Sequence, residues 1–260
     1  MSRARPISPA LVAKAGSIVR QRTGLVFREP RRSALAAGLA AGLRRSDAAG
    51  PDEYIDRLST EARLLDDLVG EITVGETYFF RDENQFSAIR DQILPDLRSS
   101  AGSARALQLW SAGCATGEEA YSLAILMRER AEAARVIGTD ISRRALGTAR
   151  RGVYREWSLR GVPEAVVRQY FRTARGRYEL GRGIRDSVEF TYLNLAEAAY
   201  PSHAIGIADM DLILCRNVLI YFDAATVARV AARLIDSLRP GGWLLVGASD
   251  PPLQDLVACE

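Results

Sequence analysis

Residues 109–126 read Leu-Trp-Ser-Ala-Gly-Cys-Ala-Thr-Gly-Glu-Glu-Ala-Tyr-Ser-Leu-Ala-Ile-Leu, and they indicate the fold of the second half of this 260-residue chain. An apolar run that ends at Trp110 gives way to a turn of small residues containing Gly113 and Gly117. Apolar residues then recur at helical spacing through Met127. Strand, glycine turn and helix in this order are typical of the first crossover of a nucleotide-binding αβ sheet, because glycine lets the backbone turn tightly and approach a ligand.

The charges of this turn indicate which ligand it favours. Glu118 and Glu119 open the helix, and the loop holds no lysine. This acidic pair would repel a pyrophosphate or triphosphate, whereas it suits a ligand with hydroxyls or positive charge. The loop therefore points to a nucleoside ligand without phosphates, although a tight βα turn with an acidic first helical turn accounts for the same residues.

Composition excludes several classes of protein. Charged residues make up 26% and hydrophobic residues 48% of the chain, as in soluble globular proteins, and no run approaches the ~20 apolar residues of a membrane span. Cys114, Cys215 and Cys259 show no Cys-x-x-Cys spacing, and His203 is the only histidine. We therefore expect a cytoplasmic protein without structural disulfides, a metal site, a histidine-based triad or membrane insertion.

Charge is distributed unevenly along the first third of the chain. Residues 1–45 contain ten basic side chains and one acid, whereas residues 46–76 contain nine acids and two arginines. A basic head suggests an acidic partner, either nucleic acid or an acidic protein surface, although charge runs of this kind are more often solvated helix faces.

Periodicity divides the chain into two parts. The first part shows helical spacing only, with helices predicted around Leu11–Val19, Ala34–Leu43, Tyr54–Val69 and Phe86–Ile93, the last ending near Pro95. We predict an all-α N-terminal domain over residues 1–95. Residues 96–104 have the Ser- and Gly-rich composition of a linker, and an α/β domain is predicted over residues 105–260.

Strands alternate with helices in the second part. The predicted strands are residues 106–112, 135–139, 187–193, 210–215 and 242–247. This order predicts a doubly wound, mainly parallel sheet that binds its ligand at the carboxyl ends of the strands. Asp223 is the predicted N-cap of the helix before the last strand, and the Gly- and Arg-rich residues 172–187 predict a small inserted antiparallel β hairpin.

Polar residues follow the second, third and fourth predicted strands. Asp140 ends the second strand, where an acid can accept hydrogen bonds from both hydroxyls of a ribose; Asp140 or Ser142 could instead cap the next helix. The third and fourth strands end in Asn194-Leu195 and Arg216-Asn217. Core packing does not explain polar residues at these places, so we expect a pocket there.

The segment Glu-Thr-Tyr-Phe-Phe-Arg-Asp at residues 76–82 is dense in aromatic residues although it lies outside the predicted sheet. We expect Phe79 and Phe80 to pack the two domains together. Arg81 is a candidate for binding a carboxylate, because a guanidinium can hold both carboxylate oxygens.

Three of these stretches together resemble the CheR-type chemotaxis methyltransferases. They are Glu-Thr-Tyr-Phe-Phe-Arg at 76–81, Ala-Thr-Gly-Glu-Glu at 115–119 and Arg-Asn-Val-Leu-Ile-Tyr-Phe at 216–222. The resemblance spans roughly residues 70–250, and the basic N-terminal part matches the family's receptor-facing domain in character. It implies a Rossmann-like methyltransferase sheet that transfers a methyl group from S-adenosyl-L-methionine to glutamate side chains of chemoreceptors, leaving S-adenosyl-L-homocysteine, without a metal.

The resemblance also implies roles for individual residues. Cofactor contacts fall on Thr77, Arg81, Glu118, Asp140, Asn194, Leu195, Arg216 and Asn217. Arg81 and Tyr221 are placed beside the reacting methyl group as catalytic residues. The cytoplasmic methylation helices of chemoreceptors are the implied partner, and Arg31, Arg32, Arg44 and Arg45 are the candidates for binding them.

Three departures from the family pattern carry expectations of their own. Gly75 stands where several members have an asparagine that touches the cofactor. The hairpin is shorter than in members that tether to a receptor's C-terminal pentapeptide, so we expect no such tethering. The sequence ends soon after the fifth strand, which suggests either further domains beyond residue 260 or an incomplete sheet edge.

Two other functions compete with this interpretation. A nucleic-acid methyltransferase would use the basic head on phosphates, but amine-methylating relatives carry Pro-Pro where this chain has Arg216-Asn217, and no base-stacking platform is evident. A non-catalytic signalling module that only binds the cofactor is disfavoured by Arg81 and Tyr221, while Gly75 leaves it open.

Overall fold

In the computed structural model, which describes residues 7–29, 31–73, 76–101 and 105–253, four helices form the first part of the molecule. They are α1 (Pro9–Thr23), α2 (Arg32–Arg45), α3 (Pro51–Arg57) and α4 (Ala62–Ile72). The Ser8 side chain caps α1 by accepting a hydrogen bond from the N–H of Leu11, and Gly24, at φ 76°, ends it. The apolar faces of the four helices meet in one buried cluster, which confirms the predicted all-α N-terminal region.

The single helix predicted through Tyr54–Val69 is wrong, because the chain breaks between α3 and α4. The hydroxyl of Ser59 donates to the carbonyl of Asp56 (2.6 Å), and that of Thr60 donates to the carbonyl of Arg57 (3.3 Å). Such side-chain bonds offer the backbone an alternative to the helix. The break lets α3 pack against α1 while α4 packs against α2.

Two glycines allow α2 to approach its neighbours closely. A Cβ atom at Gly42 would lie 2.0 Å from the hydroxyl oxygen of Tyr54, and one at Gly38 would lie 2.4 Å from a methyl carbon of Ile72. Tyr54 is fully buried, so its ring cannot move outward to make room. The small-residue spacing of α2 therefore serves the packing of the helical domain.

The predicted linker over residues 96–104 is wrong for its first six residues. Helix α5 (Glu83–Ala88) continues through a π-helical turn (Ile89–Ile93) into α6 (Leu94–Ala101), and residues 102–104 lie outside the described part. Pro95 does not end the helix, because it directly follows the π-helical turn, where the i→i−4 hydrogen-bond ladder is already interrupted. Leu94 and Leu97 pack in the same core as Leu107, so this helix belongs physically with the sheet.

The remaining chain alternates between strands and helices. In chain order it forms β1 (Leu107–Ala112), α7 (Glu118–Glu129), β2 (Ala134–Asp140), α8 (Arg143–Arg151), β3 (Val153–Tyr154), α9 (Glu164–Tyr170), β4 (Phe171–Ala174), β5 (Arg177–Leu180), α10 (Arg182–Arg185), β6 (Val188–Tyr192), β7 (Met210–Cys215), α11 (Ala224–Asp236) and β8 (Leu238–Val246). Asp223 caps α11 as predicted, its carboxylate accepting a hydrogen bond from the N–H of Thr226 (2.9 Å).

The main sheet has the order β6-β2-β1-β7-β8, and all its neighbouring strands are parallel. Leu107 and Leu109 of β1 face one buried cluster, while Trp110 and Ala112 face the other. Burial on both faces is typical of a doubly wound sheet, so the predicted fold is confirmed. The strand order reverses between β1 and β7, where such sheets bind their ligands.

A small, separate antiparallel sheet of order β3-β5-β4 is formed by residues that lie between β2 and β6 in the chain. The hairpin predicted at residues 172–187 is present as β4 and β5, but residues 182–185 form the short helix α10. Pairing with the distant strand β3 had no signal in the sequence, since β3 has only two residues. Over the described ranges, no helix combines the length and apolar character that crossing a lipid bilayer requires.

Candidate functional site

A cavity of about 640 Å³ opens at the carboxyl ends of β1, β2 and β7, between the sheet and the N-terminal helices. Residues predicted from the strand ends and from the segment before the sheet come together in its lining: Thr77, Arg81, Asp140, Asn194, Leu195, Arg216, Asn217 and Tyr221. The helical domain adds Leu25, Arg31, Gly70, Glu71 and Thr73. Gly75, the departure from the family pattern, lies outside the described residues.

The glycine turn after β1 forms one wall of this cavity. Gly113 and Gly117 adopt φ values of 83° and 94°, and a Cβ at Gly113 would lie 2.4 Å from a methyl carbon of Val218. The N–H groups of Gly113 and Cys114 both donate to the carbonyl of Thr139 (2.8 and 2.9 Å). The turn is thus fastened to the end of β2, and glycine is required for its left-handed backbone.

Asp140 joins the turn to the start of α8. Its carboxylate accepts hydrogen bonds from the N–H of Ala115 (2.8 Å) and from the N–H of Ser142 (2.7 Å). Ser142 is the residue that caps α8, by accepting from the N–H of Ala145 (3.2 Å), so the capping alternative for Asp140 does not hold. Burial raises the pKa of Asp140, while these main-chain hydrogen bonds oppose the rise.

The two acids at the start of α7 have different surroundings. Glu118, expected to contact the cofactor, does not line the cavity: its carboxylate accepts from the hydroxyls of Thr116 (2.6 Å) and Ser158 (2.9 Å). Glu119 lines the cavity instead. Adjacent helical positions differ in direction by about 100°, and the sequence does not tell which of the two faces the turn. Burial raises the pKa of both carboxyl groups.

Arg216 links β7 to the segment before the sheet. This side chain is almost fully buried and pairs with Glu119 (3.1 Å between Nη1 and Oε2). Its Nη2 donates to the carbonyl of Arg81 (2.6 Å) and lies 3.7 Å from the carboxylate of Asp82. Among the described residues its Nε has no hydrogen-bond partner. Arg216 therefore places the main chain of Arg81 at the cavity.

The aromatic residues of this segment pack differently from the prediction. Phe79 stands edge-on to Tyr154 and Phe171, with ring centroids 5.0 and 4.9 Å apart, and Phe80 stands edge-on to Phe86. These partners belong to the core of the sheet domain, so Phe79 and Phe80 do not join it to the helical domain. The expectation fails because α5 and α6, which follow the segment, are themselves part of that core.

The side chain of Asn194 is occupied by the protein itself. Its amide oxygen accepts from the N–H of Ala196 (3.0 Å), and its amide nitrogen donates to Glu197 (3.0 Å) and to the carbonyl of Arg22 (3.3 Å). Asn194 therefore shapes the loop after β6 and fastens it to the end of α1.

Asp250 is a site residue that the sequence reasoning missed. Its carboxylate accepts hydrogen bonds from the N–H groups of Asn217, Ile220 and Gly247. It thereby holds the turn from Asn217 (φ 58°) to Tyr221 against the end of β8. A signal was present, because Asp250 is a polar residue shortly after a predicted strand, like Asp140.

Tyr221 is held from the helical side. The guanidinium carbon of Arg31 lies 4.3 Å from the centre of the Tyr221 ring, and its Nη1 donates to the carbonyl of Ile220 (2.9 Å). The N–H of Val26 donates to the carbonyl of Tyr221 (2.8 Å). Burial raises the pKa of Tyr221, and the positive charges of Arg31 and Arg81 partly reverse this rise.

The four arginines expected to bind the partner do not form one surface. Arg31 points to the cavity, whereas Arg44 and Arg45 lie about 20 Å away at the other end of α2, given a rise of 1.5 Å per residue. Arg32, Arg44 and Arg45 are all exposed, and Arg45 pairs with Glu71 (3.2 Å). The acids of α3 and α4 thus neutralise part of the basic head.

Comparison with known proteins gives concordant matches. The family model described as "CheR methyltransferase, SAM binding domain" matches residues 75–255. Chemotaxis protein methyltransferase 1 of Pseudomonas aeruginosa is 33% identical over 224 residues, a match that covers 80% of this chain and 80% of the relative. The chemotaxis protein methyltransferase of Borreliella burgdorferi is 31% identical over 244 residues, covering 90% and 85%.

Proposed function

Since the chain belongs to the CheR methyltransferase family, whose members are S-adenosylmethionine-dependent, we propose that it methylates glutamate side chains of chemoreceptors. The observation that carries this proposal is the meeting of Arg81 and Tyr221, far apart in sequence, at the cavity that also contains the glycine turn and Asp140.

The cavity fits S-adenosylmethionine in size and in charge. Its volume of about 640 Å³ is that of a small-molecule site, and the turn at Gly113 has no room for a side chain. The described lining holds four acids and four arginines: Glu71, Glu76, Glu119, Asp140, Arg31, Arg81, Arg144 and Arg216. This mixture suits a ligand that carries cationic groups, hydroxyls and a carboxylate, as S-adenosylmethionine does. Asp140 would hold the ribose hydroxyls, and the turn would lie along the cofactor.

The proposed methyl transfer does not require the protein to transfer a proton. S-adenosylmethionine, when bound, supplies an electrophilic methyl group on a sulfonium. A glutamate has an ordinary pKa of ~4.3 and is already ionised near neutral pH, so no general base is needed. This agrees with a chain whose one histidine, His203, does not line the cavity.

Arg81 and Tyr221 would instead position the carboxylate. The guanidinium of Arg81 attracts the substrate anion, and the phenol of Tyr221 orients the oxygen that attacks. Holding the reacting atoms in line and excluding water supplies most of the acceleration in such a reaction.

The proposed substrate is a cytoplasmic methylation helix of a chemoreceptor. Arg32, Arg44 and Arg45 are the exposed arginines of the proposed docking residues, and of these Arg32 and Arg44 form no ion pair with another described residue. We propose that methylation is independent of a pentapeptide tether, because β4 and β5 are only four residues long and their turn is short. The protein would then act in the cytoplasm, where these helices lie.

One set of measurements tests the proposed function. Calorimetric titration with S-adenosylhomocysteine reports cofactor binding, and labelled-methyl transfer to receptor fragments, followed by mass mapping of modified glutamates, reports the reaction. We expect Arg81→Ala to lower kcat/KM by about 100-fold, the scale of losing one donor at a reacting centre. Cofactor affinity should fall much less, because Arg81 is one of several proposed cofactor contacts.

Arg90→Ala is the matched control, because Arg90 is exposed and pairs with its neighbour Asp91 outside the cavity. Near-normal turnover of Arg81→Ala would refute the role of Arg81. Cofactor binding by the wild-type protein without any methyl transfer would instead indicate a non-catalytic module.

A further inference from the structure

The contact between Arg31 and Tyr221 assigns Arg31 a role different from partner docking. Arg31 stands just before α2 in the helical domain, whereas Tyr221 follows β7 in the sheet domain. Both side chains line the cavity, and the guanidinium carbon of Arg31 stacks 4.3 Å from the ring centre of Tyr221. The guanidinium of Arg31 therefore lies at the cavity, against a residue of the sheet domain.

The turn that carries Tyr221 depends on the helical domain for its outer hydrogen bonds. Leu219–Tyr221 is a single 3₁₀ turn, and on its sheet side Asp250 binds the N–H of Ile220 (3.2 Å). Its carbonyls at Ile220 and Tyr221 are bound by Arg31 Nη1 (2.9 Å) and by the N–H of Val26 (2.8 Å). Of these two bonds, the one from Arg31 is made by a side chain and can be removed by substitution.

The positive charge of Arg31 is not neutralised by an ion pair with a described residue. In the described part of the chain, no carboxylate lies within ion-pair distance of its guanidinium, in contrast to Arg45, which pairs with Glu71. A stacked guanidinium keeps its hydrogen-bonding edge free to bind the Ile220 carbonyl while its face covers the ring.

We propose that Arg31 is a positioning residue for methyl transfer, which holds the Tyr221 ring at the cavity rim. The helical domain then contributes to the active site itself as well as to docking. This rests on the proposed function, in which Tyr221 orients the attacking oxygen. Arg31 acts through Tyr221 and is not assigned a contact with the reacting atoms.

The test is a double-mutant cycle of Arg31→Ala with Tyr221→Phe, measured by methyl transfer at saturating cofactor. We expect Arg31→Ala to lower kcat about tenfold and to change KM for the receptor fragment less than threefold. In the Tyr221→Phe background, where the hydroxyl is gone, we expect Arg31→Ala to lower kcat less than threefold, because residues that act as a unit are not additive.

Two further variants sharpen the cycle. Arg31→Lys should recover most of kcat, since an ammonium can still donate to the Ile220 carbonyl and lie over the ring. Arg28→Ala should behave as the wild type, because Arg28 is an exposed residue of the same segment that does not line the cavity. If Arg31→Ala raised KM and left kcat unchanged, Arg31 would act in docking and the proposal would be overturned. Equal losses of kcat in both Tyr221 backgrounds would also overturn it, because Arg31 would then not act through Tyr221.

Hydrogen exchange separates this proposal from the proposed function. Peptides covering residues 218–223 should exchange faster in Arg31→Ala than in the wild type or Arg28→Ala, whether or not the protein methylates the fragments tested. Unchanged exchange would overturn the role of Arg31 in holding the turn. Absence of methyl transfer by the wild-type protein would count against the proposed function alone.

Discussion

Replacing Asp140 by asparagine keeps the size of the side chain and removes its charge from the cavity. The carboxylate now accepts two main-chain hydrogen bonds, from Ala115 (2.8 Å) and Ser142 (2.7 Å). An amide oxygen can take only one of these places, so the other N–H would face an NH₂ group. Losing one hydrogen bond to a charged acceptor costs about 1.5–3 kcal/mol.

Part of that cost is offset in the unfolding free energy. Burial raises the pKa of Asp140, so keeping its charge inside the fold is itself unfavourable, and asparagine avoids this. We therefore expect a net loss of stability of about 1 kcal/mol, a typical value for a point mutant. Affinity for S-adenosylhomocysteine should fall at least about tenfold, or 1.4 kcal/mol, because the turn shifts and the anionic acceptor for the ribose is gone.

Calorimetric titration measures the affinity, and urea unfolding measures the stability. Asp209→Asn is the control, since Asp209 is an exposed aspartate that lies outside the cavity. If folded Asp140→Asn bound S-adenosylhomocysteine within twofold of the wild type, the proposed ribose-binding role of Asp140 would be refuted.

Three other predictions concern pH, packing and docking. Burial raises the pKa of Asp140 above its ordinary value of 3.8, so its carboxylate should become protonated at a pH above that value. Acidification should therefore weaken S-adenosylhomocysteine binding in calorimetric titrations, and the affinity of Asp140→Asn should fall less over the same pH range. Gly42→Ala should lower the free energy of unfolding in urea by about 1–3 kcal/mol, because the new Cβ would lie 2.0 Å from the Tyr54 hydroxyl oxygen. Gly147→Ala is the control and should be neutral or stabilising, because its Cβ would meet nothing closer than Arg151 Nη1 at 3.6 Å. Arg44→Glu should raise KM for a receptor fragment about threefold with unchanged cofactor affinity, more strongly at low salt, and an unchanged KM in the methyl-transfer assay would remove Arg44 from the docking surface.

Strands and helix caps whose signals lie within a short stretch of sequence were predicted correctly. The strand predicted at 210–215 is observed with the same bounds; β1 begins one residue later than predicted, and β2 extends one residue further at each end. Asp223 caps α11 as its position suggested. The break between α3 and α4 was missed because Ser59 and Thr60 compete with the helix through weak local bonds that apolar spacing does not show.

Local patterns in the sequence predict the parallel sheet, the glycine turn and the edge of the sheet where polar residues gather. Apolar periodicity and backbone sterics are properties of short segments, so they can be seen without knowing the fold. Tertiary structure alone decided that Glu119 rather than Glu118 faces the cavity, that Asp250 fastens the turn of Asn217, and that Arg31 lies over Tyr221. Each of these depends on the direction of one side chain or on contact between residues far apart in the chain, and such contacts exist only once the chain has folded.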